Sequence, residues 1–382
     1  MLKPALRRAW RDLHTLQFGA APAHAVLLGP VDTATGRFLT LVDGTRSVPQ
    51  LRAEAVSLGL RADDADTLLA RLVGAGLLDD ATGGGPGVQA LRVRPQTLDR
   101  LRPDLASLTV TSPEPGGGLT RLAARRALRV QVRGAGRVGS VAAAVLAGAG
   151  VGRVEVADGG RVEPWDVAPG GLPVEAVGRR RADAARRAVA RAAPERPPRA
   201  TARAGPGADG VPLALVIVAP REGLDAFAPD PLAVADLLST GVPHLFAGTL
   251  EGSAVLGPLV VPGETACAEC LAGARAERDP AWPRLVAQWR SGRRSRVPTG
   301  DLALTTAVAG LAASHALSFL DGARPATVGA RWEAAVPRLH WHSRAVRPHP
   351  GCPCGARDPD TQGASRTAAR GGAAPVHPGT TQ

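Results

Sequence analysis

The feature that most constrains the fold is a glycine-rich turn, Gly134-Ala-Gly136-Arg-Val-Gly139, between two hydrophobic segments. Residues 127–132 before the turn have the composition of a β-strand. After it, the small residues at 140–149 predict a helix, and residues 151–157 predict a second strand that ends at Asp158. Strand, G-x-G-x-x-G, helix, strand and acid in this order are the fingerprint of a nucleotide-type α/β fold.

Each residue of this fingerprint has a chemical purpose. Gly134 permits a tight turn, Gly136 allows the backbone to approach a phosphate, and Gly139 allows the helix to pack on the sheet. The helix N-terminus offers free N–H groups to an anion, and Asp158 can accept hydrogen bonds from ribose hydroxyls. NAD-binding and ATP-binding proteins share this pattern, and a fold that has lost its ligand can keep the glycines for packing.

The cysteines form two close pairs. Cys267-Ala-Glu-Cys270 is a C-x-x-C turn, and Cys352-Pro-Cys354 follows near the C-terminus. Four thiolates in two pairs predict a structural zinc site that ties the C-terminal arm to the core. The tighter C-x-C half leaves His349 as an alternative ligand, and reduced thiols or local disulfides are the alternatives to zinc.

Further segments make residues 120–355 resemble the ThiF/MoeB family. The similar segments are 158–172, Val177-Gly-Arg-Arg-Arg181, 213–219, 241–248 and 257–270. The resemblance implies a Rossmann-like α/β fold with a structural zinc site, in which ATP and magnesium adenylate a carboxylate of a peptide or small protein. It places Arg181 where the family has its phosphate-binding lysine, and it implies a homodimer.

The chain departs from this family at the nucleotide site. The second acid of the family is Gly160 here, and its nucleotide-contacting Asn and Arg fall on Asp166 and Pro169. The metal-binding Asp falls near 220–222, the sequence Pro-Arg-Glu, and Asp225 lies off the matching position. We therefore expect the nucleotide pocket to be kept and the adenylation chemistry to be weakened or lost.

The N-terminal 80 residues have the order of elements of a winged-helix domain. Helical spacing covers 48–58 and 63–74, the second segment ends in Gly-Leu-Leu (76–78), and Asp-Gly-Thr-Arg (43–46) precedes the first. This arrangement resembles the PqqD-like precursor-recognition domain, in which a leader peptide adds as a strand to a sheet edge. A packing or dimerisation unit and a DNA-binding winged helix are the alternatives.

These boundaries predict four regions: a docking domain at 1–80, a Gly/Pro-rich linker at 81–118, the ThiF-like domain at 119–355 and a disordered tail at 356–382. We also expect a long loop at 194–210. Trp282, Trp289 and Arg293 to Arg296 fall in the segment that crosses over the nucleotide site in relatives.

Composition excludes some partners. The formal net charge is +12, and almost all of the positive charge is arginine because Lys3 is the sole lysine. Ala, Gly and Pro are also abundant, so we expect these arginines at solvated surface positions and no nucleic-acid role. Residues 302–320 are apolar but interrupted by Thr, Ser and His, which predicts a buried helix and no membrane span. No secretory signal is visible, which predicts a cytoplasmic protein.

Other residues receive structural interpretations. His315 stands in the apolar helix and is expected to be a core residue, while His340 and His342 alternate as on an edge strand. We assign none of them a catalytic role. Because zinc would use all four cysteines, a covalent thioester step is not expected.

Three functional hypotheses follow. The first is a ThiF-like adenylyltransferase that docks a peptide or small carrier protein through its N-terminal unit. The second is a catalytically inactive scaffold that binds a leader peptide and delivers it to a separate modification enzyme. The third is an NAD-dependent oxidoreductase, which the fingerprint supports but the cysteine pairs and Arg179 to Arg181 oppose.

Overall fold

A computed structural model describes residues 1–80, 82–195, 211–292 and 297–357. The chain divides into two compact units. The first comprises Met1–Ala127, Gly148–Gly152 and Pro194–Arg196, and the second comprises Leu128–Ala147, Arg153–Ala193 and Pro197–Gln382. Nearly all of the predicted loop at 194–210 and of the predicted tail at 356–382, and all of Arg293 to Arg296, lie outside the described residues.

The first unit begins with a small antiparallel sheet followed by three helices. The strands β1 (Arg8–Trp10), β2 (Leu16–Phe18) and β3 (Val26–Leu28) lie in that order, with β2 in the centre. The helices are α1 (Thr33–Leu41), α2 (Val48–Ser57) and α3 (Ala62–Gly74). Helices α2 and α3 lie where the sequence predicted helices. The Asp43 side chain accepts hydrogen bonds from Thr45 and closes the turn before α2.

The core of this region is aliphatic with two buried phenylalanines, Phe18 from the sheet and Phe38 from α1. Leu51 of α2 and Leu72 of α3 pack against them, and Leu77 closes the cluster after Gly76. Gly76 has a positive φ of 65°, the left-handed conformation that ends a helix.

The segment that we predicted as a linker, 81–118, is largely helical. The helices are α4 (Pro86–Arg92), α5 (Pro95–Arg100), α6 (Arg102–Thr111) and α7 (Gly117–Arg125). Their buried leucines, Leu91, Leu101, Leu108 and Leu122, form a second core cluster. Some of the Gly and Pro residues that suggested a linker stand at helix starts, with Gly85 and Pro86 at α4 and Gly116 and Gly117 at α7. Pro is favoured there because its missing N–H needs no partner.

The second unit is built on a mixed seven-stranded sheet. Its strands are β4 (Arg129–Arg133), β5 (Arg153–Ala157), β6 (Leu213–Val218), β7 (His244–Leu250), β8 (Ser253–Val260), β9 (Ala330–Ala335) and β10 (His342–Ala345). Their order is β10-β9-β8-β7-β6-β4-β5. Strands β5, β4, β6 and β7 are parallel, and β8 to β10 continue antiparallel.

Helices connect and cover these strands. They are α8 (Arg137–Gly148), α9 (Arg181–Ala192), α10 (Leu224–Phe227), α11 (Ala235–Ser239), α12 (Ala268–Arg278), α13 (Trp282–Ser291) and α14 (Leu302–Leu320). Nine of the twelve residues of α8 are buried, because its Ala, Gly and Ser side chains allow close packing. This is the predicted Rossmann-like arrangement of strand, glycine turn, helix and strand.

Helix α14 is long and apolar enough by composition to cross a membrane. It packs instead against β6, β7 and β8, and its buried face includes Leu304, Val308 and Ala312. This placement agrees with the predicted buried helix.

Candidate nucleotide site and metal centre

The glycine turn joins β4 to α8 at the carboxyl edge of the parallel strands. Gly134 has a φ of 109°, and a Cβ atom there would lie 2.0 Å from the Ala219 carbonyl oxygen. A Cβ atom at Gly139 would lie 2.1 Å from the Gly134 carbonyl oxygen. Both glycines are therefore required by the packing of this chain on itself. At Gly136 the neighbour is Arg221, whose Cα would be 3.1 Å from an added Cβ.

Asp158 follows β5, and its carboxylate is buried against the glycine turn. One oxygen accepts a hydrogen bond from the Ala135 N–H at 2.9 Å. The other accepts from the Gly160 N–H at 2.7 Å and from Arg181 Nε at 2.8 Å. A carboxylate offers about four acceptor positions, so three are already used and little capacity remains for a ribose hydroxyl.

The sequence resemblance placed Arg181 at the family's lysine and Gly160 at its second acid, and in the structure these two residues are in contact. The Arg181 guanidinium lies over Gly160, where an added Cβ atom would be 2.0 Å from Nη2. Arg181 Nη1 also donates to the Arg161 carbonyl at 2.7 Å. A side chain at position 160 would displace this guanidinium, so Gly160 makes room for the arginine.

Asp166 is the centre of a buried ion network. Its side chain is 1% exposed, and one oxygen accepts from Arg221 Nε at 2.6 Å. The other accepts from the Glu163 N–H at 2.9 Å and lies 3.5 Å from Arg181 Nη1. Arg221 Nη2 donates in turn to the Glu163 carboxylate. Burial acts to lower the pKa of Arg221, but its bonds to Asp166 and Glu163 raise that pKa above the usual value.

Arg221 was not among the residues predicted for the site. The available signal was its position, because it follows the end of β6 by three residues and the carboxyl ends of parallel strands meet at the ligand-binding edge of such a sheet. Asp225, considered as a metal ligand, lies 3.6 Å from Arg290 of α13.

A cavity of about 310 Å³ opens beside this network. It is bounded by Gly136 and Arg137, by the turn that carries Trp165 and Asp166, by Pro220 and Arg221, by Thr249 of β7 and by the start of α14. Arg137 Nη1 donates to the Gly300 carbonyl at 3.2 Å.

Two buried donors at this cavity lack a partner. Arg137 Nε and Trp165 Nε1 form no hydrogen bond to any described residue. Leaving a buried donor unpaired costs about 1–3 kcal/mol, so such donors are rare in folded proteins unless water or a ligand supplies an acceptor. With Arg137, Trp165 and Arg221 in its lining, the cavity has side-chain N–H groups that suit a ligand rich in oxygen acceptors.

The four cysteines come together in the second unit. Cys267 precedes α12, Cys270 lies in its first turn, and Cys352 and Cys354 belong to the C-terminal segment. Their sulfur atoms all lie within 4.8 Å of one another, with contacts of 3.5 Å, 3.5 Å and 3.8 Å. Four thiolates about 2.3 Å from a tetrahedral ion are about 3.8 Å apart, so the set fits zinc.

The environment of the sulfur atoms is apolar and closely coupled. The Cys267 thiol donates to Cys270 and thereby lowers the pKa of Cys270, while burial raises the pKa of Cys352. No described cysteine forms a disulfide. His349, considered as an alternative ligand, has Nε2 2.9 Å from Glu277 and accepts from the Gly351 N–H through Nδ1.

His315, His340 and His342 have the structural surroundings that the sequence suggested. His315 is partly buried, its Nδ1 lies 3.0 Å from Thr327 Oγ1, and burial lowers its pKa. His342 is exposed on β10, the edge strand of the large sheet. His340 contacts His342 edge to face at the surface, with ring centroids 5.6 Å apart.

Comparison with known proteins identifies the fold family. Residues 117–354 match the ThiF family. This chain belongs to the ThiF family. No curated protein matches it in sequence.

Solved structures of other proteins match nearly the whole chain. Escherichia coli MccB with AMPCPP and MccA has a TM-score of 0.65 and 15% identity, over 94% of this chain and 99% of that one. The microcin C7 biosynthetic enzyme MccB with N-formylated MccA has a TM-score of 0.64 and 16% identity, over 93% and 99%. PaaA has a TM-score of 0.63 and 15% identity, over 90% and 99%.

The ThiF match and these structural likenesses confirm the predicted fold class. They leave the PqqD-like interpretation of the first 80 residues as a prediction, because the ThiF match begins at residue 117.

Proposed function

We propose that this ThiF-family protein binds ATP in the cavity bounded by the glycine turn and Asp166, and that it adenylates a carboxylate of a peptide or small protein. The observation that carries the proposal is the pair of buried, unpartnered donors, Arg137 Nε and Trp165 Nε1, at a cavity bounded by the glycine turn. ATP supplies the oxygen acceptors that these donors lack. MccB, a structural neighbour, has been solved with AMPCPP and MccA.

The residues of the site divide the task. Backbone N–H groups at the start of α8 face the phosphates, as helix N-termini do in related folds. Asp158 offers its remaining acceptor position to the ribose, and Arg181 supplies positive charge next to it. Arg137 and Arg221 stand at the cavity, where they stabilise charge on the phosphates.

In the proposed step, a carboxylate oxygen attacks the α-phosphorus of ATP. The bond from that phosphorus to the bridging oxygen breaks, pyrophosphate leaves with the electron pair, and an acyl-adenylate remains. Because the four cysteines share the metal-type cluster, the reaction stops at this product or transfers it to a partner.

In this proposal the peptide partner binds to the first unit. Strands β1 and β3 are the edges of its sheet, and an extended leader peptide can pair with such an edge. Structures of MccB with MccA show that a structural neighbour forms a peptide complex. A homodimer and a cytoplasmic location complete the proposal, together with structural zinc at the four cysteines.

A second function is favoured by the ion network. Asp158, next to the glycine turn, and Asp166, at the cavity, are already paired with Arg181 and Arg221 before any ligand arrives. A protein with this arrangement suits the role of a scaffold that presents a leader peptide to a separate enzyme. An ATP–pyrophosphate exchange assay with a precursor peptide encoded beside the gene separates the two functions, since the scaffold gives no exchange.

The experiment that tests the proposed cofactor is calorimetric titration of the full chain with ATP. We expect micromolar binding, at least a tenfold loss in Asp158→Asn, and no change in Asp183→Asn. Asp183 is the matched control because it is a half-exposed acid of α9 that pairs with Arg186. Absence of binding by a folded wild-type chain would refute ATP as the ligand, and titration with NAD would then test the oxidoreductase hypothesis.

A further inference from the structure

The carboxylates at the cavity do not fit the magnesium that the family resemblance implies. Asp166 and Asp301 are the described acids that line it. Asp166 is buried, with both oxygens engaged by Arg221, Arg181 and the Glu163 N–H. Asp301 accepts from the Leu304 N–H and caps α14. Among the described residues, the four cysteines are the only cluster of three or more potential metal ligands.

The Arg221 guanidinium bridges two acids, Asp166 at the cavity and Glu163 beside it. Arg221 Nε donates to Asp166, and Arg221 Nη2 donates to Glu163. The start of this side chain lies against Gly136, since an added Cβ atom there would be 3.2 Å from Arg221 Cγ. Arg221 therefore combines the charge of a bound cation with a position at the phosphate-facing turn.

Donors remain available at this point. An arginine has five N–H donors, and Arg221 uses only Nε and Nη2 on described residues, which leaves Nη1. Arg137 Nε and Trp165 Nε1 are the unpartnered donors at the same cavity. Arg137, Trp165 and Arg221 thus line the cavity, and each has an N–H group without a partner among the described residues. Both described acids at the cavity already have a partner.

We infer that this site binds the phosphate chain of a nucleotide through the N–H groups of Arg137, Trp165 and Arg221, without a divalent metal ion. The inference rests on the proposed ATP binding and specifies how the phosphates are held. Guanidinium groups match phosphate oxygens in charge and geometry, so they can take over the neutralisation that a metal ion supplies.

The test is titration of the full chain with ATP in two buffers, one with EDTA and one with excess magnesium. We expect dissociation constants that agree within about threefold, a difference of less than 1 kcal/mol. Tighter binding in magnesium by tenfold or more would overturn the inference and leave the proposed ATP binding intact. Absence of binding in both buffers would instead refute the proposed function.

A matched pair of tryptophan variants tests the donors. Trp165→Phe removes the indole N–H and keeps a ring, and we expect about a tenfold weaker ATP affinity from the lost hydrogen bond. Trp332→Phe is the control, because Trp332 Nε1 is also buried without a partner but lies on β9, outside the cavity lining. An unchanged affinity in Trp165→Phe would contradict the proposal.

Thermal unfolding excludes a merely structural role for Trp165. Because its N–H lacks a partner in the unliganded protein, we expect Trp165→Phe to unfold within a few degrees of the wild type, as Trp332→Phe does. An affinity loss together with unchanged stability supports direct contact with the ligand. A large loss of stability in Trp165→Phe alone would contradict it.

Discussion

The four-cysteine cluster and the nucleotide-type cavity, both in the second unit, differ in which buried polar groups they leave without a partner. The cysteine cluster brings four sulfur ligand atoms close together, so it fits a metal ion. At and beside the cavity, Arg221 pairs with Asp166 and Arg181 pairs with Asp158, and two N–H donors, Arg137 Nε and Trp165 Nε1, have no partner among the described residues. The cysteine cluster therefore suits a metal ion, and the cavity suits an anion rich in oxygen acceptors. The family resemblance had predicted a metal ion at both sites, zinc at the cysteines and magnesium with ATP.

This difference shows that the residues that maintain the fold are not the residues that determine what the site can bind. The cysteines match the family in residue type, and the structure brings their sulfur atoms together. The glycine turn also matches, but Gly134 and Gly139 serve the packing of the chain itself. Arg181 and Arg221 then change the charge of the pocket without disturbing the fold around it.

The largest effect is expected at the cysteine cluster. We predict that Cys267→Ala abolishes zinc binding, measured by elemental analysis of purified protein, and lowers the unfolding temperature by more than 10 °C. Metal binding by such sites contributes about 10 kcal/mol in small zinc peptides, so its loss is severe. His349→Ala is the control and should retain the metal, because its ring is engaged by Glu277. Full zinc content in Cys267→Ala would contradict a four-cysteine site.

A smaller but substantial effect is expected at the centre of the ion network. Asp166→Asn removes the buried charge that two guanidinium groups share, and breaking a buried pair costs about 3–5 kcal/mol. Denaturant unfolding would measure this loss. Asp236→Asn is the control, since the pair of Asp236 with Arg133 is largely exposed and should contribute less than about 1 kcal/mol. Equal losses in both variants would mean that the network contributes nothing beyond a surface pair.

The smallest effect tests whether Gly160 and Arg181 depend on each other. Gly160→Ala forces the Arg181 guanidinium to move, and overpacking of this kind costs about 1–3 kcal/mol. In an Arg181→Ala background the same substitution meets no such neighbour, so we expect its cost to fall below about 0.5 kcal/mol. A double-mutant cycle by denaturant unfolding measures this coupling. Additive losses would show that the two positions are independent.

Much of the fold could be predicted from the sequence because its signals are local. The order of strand, glycine turn, helix and strand predicted β4, α8 and β5, and helical spacing predicted α2 and α3. The segment at 81–118 was harder to interpret, because Gly and Pro occur both in linkers and at helix starts. Burial of Leu91 and Leu101 distinguishes the two cases, and burial depends on contacts with distant residues.

The candidate site was less accessible to sequence reasoning. Asp158, Arg181 and the cysteines could be proposed because motifs mark them. Arg221, Arg137 and Trp165 have no such mark, since an arginine or tryptophan in a loop is common and its partners are unknown. Their importance comes from what they contact or fail to contact.

The sequence by itself determined that this chain forms a nucleotide-type α/β unit and carries two cysteine pairs, because chain geometry and residue spacing are encoded locally. Only the tertiary structure decided how charge is balanced at the pocket. Asp158, Asp166, Arg181 and Arg221 come from separate segments, and whether a buried charge is paired or free depends on distances that folding alone establishes.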